Sequence, residues 1–456
     1  ECDNLKGFIV DRLSMGGDIG ILCHLTSLPN GKIPDSYKFL EFLEQNGYSK
    51  WQFLPLTPPD KHNSPYASPS AFAGHYGICS TDKVGDLSEE SYWLEDWALF
   101  TTIEQHYPGE NWTQWPEELR NRNPDALAEW REKIDPEITR QGIFQHEWLE
   151  MKKASNKLGI ELIGDLPIFI SHHSADVWAN PELFQLDDDG LPTVVAGVPP
   201  DYFSETGQKW NTVLYNWEQH EKSNWRWWRE RMARMLRLFD IVRIDHFRGF
   251  HSAWAVPREA EDGIIGVWQD GPKDKIIQQL IDVAENKDRI IAEDLGIIPQ
   301  EVLDLRLRFN LRGMAILQFG FDEDSSESPH NPRNINSMQV VYTGTHDNDT
   351  LIGWYDKELK DPFRNGKINF KSNELRQIID NNSKNIHLEI IRYCMETEYP
   401  LVIVPLQDLI GLESDCRMNE PGTLNESNWS WKYNLDDLND SLVHTMKSIT
   451  HNSGRA

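Results

Sequence analysis

Cysteine is scarce. Cys2, Cys23, Cys79, Cys394 and Cys416 are scattered over 456 positions. Their number is odd and no pair has Cys-x-x-Cys spacing, which reads as reduced thiols in a cytosol-like compartment rather than a disulfide framework. Basic residues are the minority. The 45 Lys and Arg face 73 Asp and Glu, a formal net charge of −28. Such a surface disfavours phosphate backbones and anionic bilayers, so neither nucleic acid nor membrane is expected as a partner. A neutral substrate such as a sugar suits it. No apolar run approaches the roughly 18 residues of a membrane span. The opening ECDNLKGFIVDRLSM lacks the basic-then-apolar pattern of a signal peptide. No Gly-rich phosphate loop follows any strand-like run, which argues against a doubly wound nucleotide-binding sheet. Internal repeats and low-complexity tracts are also missing.

Aromatic residues, by contrast, are plentiful: 18 Trp, 18 Phe and 13 Tyr. A large core absorbs most of them. Trp178, Tyr202, Phe203, Trp210, Tyr215 and Trp217 lie instead in polar, Pro- and Gly-rich stretches that read as loops. Flat rings on loops suit the apolar faces of sugars.

Short apolar runs recur near residues 17–25, 51–56, 161–170, 239–245, 289–295, 314–321, 339–345 and 400–406. Helical patterns lie between several of them, such as DSYKFLEFLEQNG and TVLYNWEQHEKSNWRWWRERMARMLRL. Eight strands alternating with helices predict an α/β fold, a (β/α)8 TIM barrel. We expect residues 1–456 to form one catalytic barrel. Two insertions would interrupt it: a mostly helical one over 57–158 and a loop-rich one over 171–220, above the active site.

The C-terminal strand ends of such a barrel form its active face. Asp245 follows FDIVRI, Glu293 and Asp294 follow RIIA, and Asp347 and Asp349 follow VVYTGT. A single acid there is as readily a helix N-cap. Three, with Arg243 and His346 beside them, suit a retaining glycosidase. One carboxylate attacks the anomeric carbon and another shuttles the proton. A third steadies the positively charged transition state. Arg243 lies two residues before Asp245 on the same strand face and would favour its ionised form. These acids serve a transferase and a hydrolase alike.

Several motifs occur together in one order: SPYASPSAFAG (64–74), the long stretch 164–210 beginning GDLPIFISHHSADVW, RIDHFRGF (243–250), IIAEDLG (290–296), YTGTHDNDT (342–350), PLQDL (405–409), RMNEPGT (417–423) and NWSW (428–431). Through them the chain resembles the 4-α-glucanotransferases of glycoside hydrolase family 77, the amylomaltases or disproportionating enzymes. The resemblance spans about Gly17 to Trp431. It implies transfer of an α-1,4-glucan segment to the 4-hydroxyl of another glucan or glucose, through a covalent glycosyl-aspartate. It implies Asp245 as nucleophile, Glu293 as acid/base and Asp347 as transition-state stabiliser. Arg243, His346, His246, Tyr66 and Asp165 would line the substrate site. Trp210 would sit on a flexible loop over the acceptor, and Asn419 in a lid segment near the donor. Partners would be α-1,4-glucans and maltooligosaccharides, with no metal or organic cofactor. Cytoplasm is the expected location, or a plastid if a transit peptide has been removed. The alternatives are an α-1,4-glucan hydrolase with the same acids and a catalytically silent glucan-binding protein.

The chain departs from the family pattern after Trp210, where Asn211, Thr212 and Val213 replace Gly-Asn-Pro. His75 and Tyr76 follow SAFAG in place of Asn-Pro, and the loop after TSLP is short. Three other features have plainer readings than their first impression. His172, His173 and Asp176 read as hydrogen-bonding loop residues rather than metal ligands. QLDDDGLP reads as a hairpin turn rather than a calcium loop. The basic, aromatic run from Trp225 to Arg237 reads as a barrel helix with its Trp and Leu face inward.

Overall fold

The computed structural model describes residues 17–200, 205–296, 298–321, 328–331, 334–360, 363–364, 367–368, 383, 385–396 and 399–455. Cys2, Tyr202 and Phe203 lie outside the described residues.

Eight strands overlap the eight predicted runs: β1 (Asp18–Leu22), β2 (Lys50–Gln52), β3 (Glu161–Pro167), β4 (Ile241–Asp245), β5 (Ile290–Ala292), β6 (Gly313–Ile316), β7 (Gln339–Tyr342) and β8 (Leu401–Pro405). They form one sheet in the order β5-β4-β3-β2-β1-β8-β7-β6. That is the order of a (β/α)8 barrel read out from between β5 and β6. The registers are parallel, with Asp18 opposite Leu401 and Arg243 opposite Ile291. The run LVIVP of β8 is buried at all five positions. Burial on both faces is why such strands read as unbroken apolar runs instead of alternating ones.

The chain divides into two compact units. One comprises Glu1–Phe53, Lys153–Ile163 and Arg312–Ala456. In it the helix Ser36–Gln45 buries Phe39, Leu40 and Leu43 at helical spacing. Each such side chain contributes roughly 1.5–3 kcal/mol by leaving water. Trp51 donates its Nε1–H to the Cys23 carbonyl at 2.8 Å, and Tyr342 its hydroxyl to Gln52 Oε1 at 2.7 Å. At the strand starts the buried Lys50 ammonium pairs with Asp18 at 3.0 Å and Glu161 at 2.9 Å. Ion pairs at this end of a barrel serve stability, while the opposite end carries chemistry.

The second unit comprises Leu54–Lys152 and Gly164–Leu311. Regular structure between 57 and 158 is helical, with helices Leu94–His106, Glu117–Arg120, Pro124–Arg131 and Asp135–Lys157. The stretch 171–220, expected to be loop-rich, instead contributes strands. Ile170–Ser171, Val194–Val198 and Gln208–Val213 join Ser252–Pro257 and Val267–Asp270 in a five-stranded antiparallel sheet. The strand Gln208–Val213 is not legible in the sequence because QKWNTV is polar and largely unburied, so it shows no apolar alternation. QLDDDGLP does make a hairpin, with an antiparallel bridge between Leu186 and Pro192.

Asn224 and Trp225 adopt positive φ and break the Trp-rich run into helices Trp217–Lys222 and Arg226–Leu238. The second helix buries Trp227, Trp228, Met232 and Met235 as expected, but also Arg231 and Arg234. Arg234 donates to Glu90 Oε1 at 2.8 Å and to Gln145 Oε1 at 2.7 Å. Arg231 donates to the Pro167 carbonyl at 2.6 Å, at the end of β3. Arg231 and Arg234 thus tie this helix to its neighbours from inside the fold.

Candidate active site

The strand β4 ends on Asp245, and its Arg243 side chain is only 3% exposed. Three carboxylate contacts satisfy the guanidinium. Nε donates to Asp165 Oδ1 at 3.0 Å, and Nη2 to Asp165 Oδ2 and to Asp245 Oδ1, each at 2.8 Å. Burial alone would lower the Arg243 pKa, but Asp165 and then Asp245 outweigh it and hold it well above the usual arginine value. Tyr66 donates its hydroxyl to Asp165 Oδ2 at 2.5 Å. The Asp165 side chain is 0% exposed within this network, whereas that of Asp245 is 28% exposed.

Glu293 lies immediately after β5 and docks on the main chain of β4. Its amide donates to the Ile244 carbonyl at 2.9 Å, and its side chain accepts from the amides of His246 at 2.6 Å and Leu295 at 2.9 Å. Part of its surface still reaches solvent, yet protein encloses the carboxyl. Desolvation pushes its pKa up to about 7, against the lowering effect of Arg243 and the two amides. His246 takes a left-handed conformation, φ 53°, that turns its N–H toward Glu293. Burial, then Arg248, pulls its imidazole pKa down to about 3, so the ring is neutral near pH 7. Trp210 meets that ring edge-on at 4.8 Å, and Phe169 flanks both.

A second set of side chains belongs to the other compact unit. After β7 the chain runs through His346 and Asp347. Asn419 donates its Nδ2–H to Asp347 Oδ1 at 2.6 Å, and its own amide donates to the His346 carbonyl at 3.1 Å. His346 Nε2 lies 3.4 Å from Asp347 Oδ1. Arg417 donates to the Asp347 carbonyl at 2.6 Å and the Asn419 carbonyl at 2.8 Å. The Asp347 side chain is nonetheless 46% exposed. Trp429, at positive φ, places its ring 5.8 Å from that of His346.

A family model described as 4-alpha-glucanotransferase matches residues 23–90 and 81–437. The chain belongs to that family. It is a glycosyl-transfer enzyme, a 4-alpha-glucanotransferase. The 4-alpha-glucanotransferase of potato, Solanum tuberosum, is 38% identical, the match covering 94% of this chain and 84% of the relative. That of Synechocystis is 37% identical over 96% of this chain and 97% of the relative. Among solved structures, the amylomaltase of Streptococcus agalactiae, in complex with acarbose, superposes with a TM-score of 0.88 at 30% identity, covering 96% of this chain and all of that one. An α-amylase from Lactobacillus plantarum, 12% identical with a TM-score of 0.52, shares the fold.

For a 4-alpha-glucanotransferase, the placement of the remaining candidates is informative. Trp210, expected on a flexible loop, lies in the strand Gln208–Val213. Asn211 beside it takes φ 58°, a left-handed value Asn tolerates, at the point where the chain departs from the family pattern. Asp294 is not a free acid, because it pairs with the buried Arg306 at 2.8 Å. Asp349 accepts from Ser414 Oγ at 3.0 Å and pairs with Lys357. His172 is 2.8 Å from the Gly190 carbonyl and His173 2.9 Å from Glu104 Oε1, while Asp176 accepts from the Ala71 amide at 2.8 Å. Arg417, Phe169 and Trp429 were not singled out from the sequence, although each falls within a motif that carries the resemblance. Cys23, Cys79, Cys394 and Cys416 are thiols rather than halves of a disulfide. No helix among the described residues is long and apolar enough to cross a membrane.

Proposed function

We propose that this enzyme moves a segment of an α-1,4-glucan from a donor maltooligosaccharide to the 4-hydroxyl of an acceptor glucan or glucose, with retention. The Asp245 carboxylate attacks C1 of the donor as the C1–O4 bond breaks. The Glu293 proton passes to the departing O4, and a glycosyl ester forms on Asp245. The acceptor 4-hydroxyl then attacks C1, gives its proton to Glu293 and releases Asp245. Asp347, exposed at the end of another strand of the same parallel sheet, stabilises the positive charge that develops on the sugar in both steps. Asn419 and His346 orient that carboxylate. Trp210 and Phe169 provide the apolar surface on which an acceptor ring rests while water is excluded.

One observation carries the assignment of roles. Asp245 is paired with the Arg243 guanidinium at 2.8 Å, while Glu293, which accepts from the amide of the following residue His246, has its pKa pushed up to about 7 by burial. Two carboxyls with divergent environments are the usual mark of a nucleophile and a proton donor.

Incubation with maltotriose tests the reading. Products are separated by length while total reducing ends are followed. Glucose plus a ladder of longer maltodextrins at constant reducing ends is expected, and Asp245→Asn should lose the reaction by several orders of magnitude. Rising reducing ends with glucose and maltose alone would make the enzyme a hydrolase and refute the transfer assignment.

A further inference from the structure

The segment Thr343–Leu351 carries His346 and Asp347, and both its ends converge on one residue outside it. Asp408 lies just past β8, in the helix Leu406–Ile410, and is 2% exposed. Its Oδ2 accepts from Thr343 Oγ1 at 2.7 Å and its Oδ1 from the Leu351 amide at 2.7 Å. The first partner ends the run out of β7, and the second opens the next helix, Leu351–Trp354. Within the segment, the Thr345 amide and hydroxyl both donate to Asn348 Oδ1 at 2.8 Å, and Thr345 Oγ1 accepts from the Asp347 amide at 3.2 Å. Gln318 donates to the Asp349 carbonyl at 2.8 Å.

We propose that Asp408 is a positioning residue for glucan transfer, a buried carboxylate that ties together both ends of the segment presenting His346 and Asp347. This rests on the role proposed for Asp347. A buried carboxylate is a costly way to accept two bonds from neutral donors, because desolvation opposes its charge. Desolvation and the nearby Asp349 carboxylate push its pKa up to about 7, against the two hydrogen bonds. The arrangement is nevertheless specific. One rigid carboxylate spans two donors eight residues apart in sequence and fixes the separation of the segment's ends. Asp408 does not itself reach the substrate, and it acts through the segment alone. A displacement of about 1 Å in a catalytic group is enough for a loss of roughly 100-fold.

The test uses a donor that cannot accept, α-maltosyl fluoride lacking the non-reducing-end 4-hydroxyl. The amplitude of its fluoride burst counts correctly folded sites, and the burst rate gives the glycosylation step per site. Asp408→Ala is expected to slow that rate by about 10- to 100-fold per counted site. Asp408→Asn, whose Oδ1 still accepts from Leu351 and whose Nδ2–H can donate to the Thr343 hydroxyl, should return to within a few-fold of the parent. If Asp408→Ala yields no folded protein, Thr343→Val against Thr343→Ser makes the same comparison, with Val slow and Ser restored. A purely structural role would lower the burst amplitude or the melting temperature and leave the rate per site unchanged. That outcome would overturn the proposal. Asp347→Asn, measured alongside, separates the two ideas. If it is as fast as the parent, the role of Asp347 is wrong. If it is slow while Asp408→Ala and Thr343→Val are not, only the positioning role fails.

Discussion

Replacing Arg243 by Met removes the guanidinium that contacts both Asp165 and Asp245. Asp165 is 0% exposed at its side chain and would keep the Tyr66 hydroxyl bond without its cation. Breaking a buried pair from one side leaves an uncompensated charge and costs about 3–5 kcal/mol. Asp245, at 28% exposure, can recruit water and adds less to that loss. The loss should therefore be traceable to Asp165. Adding Asp165→Asn to Arg243→Met removes the stranded charge and should restore at least about 2 kcal/mol, although each change alone destabilises. Activity should not recover, because Asp245 still lacks its cation. Urea unfolding followed by tryptophan fluorescence gives the stabilities, and urea avoids the screening a guanidinium salt would bring. Arg243→Lys is the companion variant. One ammonium cannot reproduce the forked contacts, so a partial loss of about 1.5–3 kcal/mol is expected. The reasoning fails if Arg243→Met lies within about 1 kcal/mol of the parent, or if the Asn substitution gives no recovery in that background.

Four further outcomes are expected. Transfer from maltotriose should decline as pH rises through about 7, where Glu293 gives up its proton. Glu293→Gln should cut it by about 100- to 10,000-fold while a fluoride donor, needing no proton, still releases fluoride. Asp408 binds its proton more tightly folded than unfolded, so folding stability should fall as pH rises from about 4 to about 7. The fall is at most about 4 kcal/mol at 1.36 kcal/mol per unit, and urea titrations of Asp408→Asn should lack that component. Trp210→Ala should raise the fraction of donor hydrolysed rather than transferred, seen as an increase in reducing ends during maltotriose turnover.

Sequence periodicity made the eight barrel strands legible because parallel strands are buried on both faces and β-branched residues announce them. The acids at their ends were legible for a related reason, since Asp245, Glu293 and Asp347 interrupt or close apolar runs. Their sorting was not. Asp294 reads no differently from Glu293 until Arg306, on a later helix, is found beside it. Asp349 is likewise distinguished from Asp347 only by Lys357 and Ser414. Such distinctions depend on side-chain direction and on partners distant in sequence. The strand carrying Trp210 was hidden because it is polar and its partners, Ile170–Ser171 and Val194–Val198, are themselves separated in sequence. Asp408 stood within a quoted motif, but nothing local shows that it reaches Thr343 and Leu351.

The hydrogen bond from the His246 amide to Glu293 bears on how far this enzyme could be redesigned. Retaining and inverting glycosidases differ mainly in the gap between their two carboxyls, about 5–5.5 Å against 6.5–9.5 Å. Here Glu293, the proposed proton donor, is moored to the peptide bond that directly follows Asp245, the proposed nucleophile. On the proposed roles, the gap between the two carboxyls is set by main chain rather than by side-chain length. Shortening Glu293 to Asp would break the mooring before it admitted a water molecule. A change of anomeric course would have to begin by shifting one strand against its neighbour.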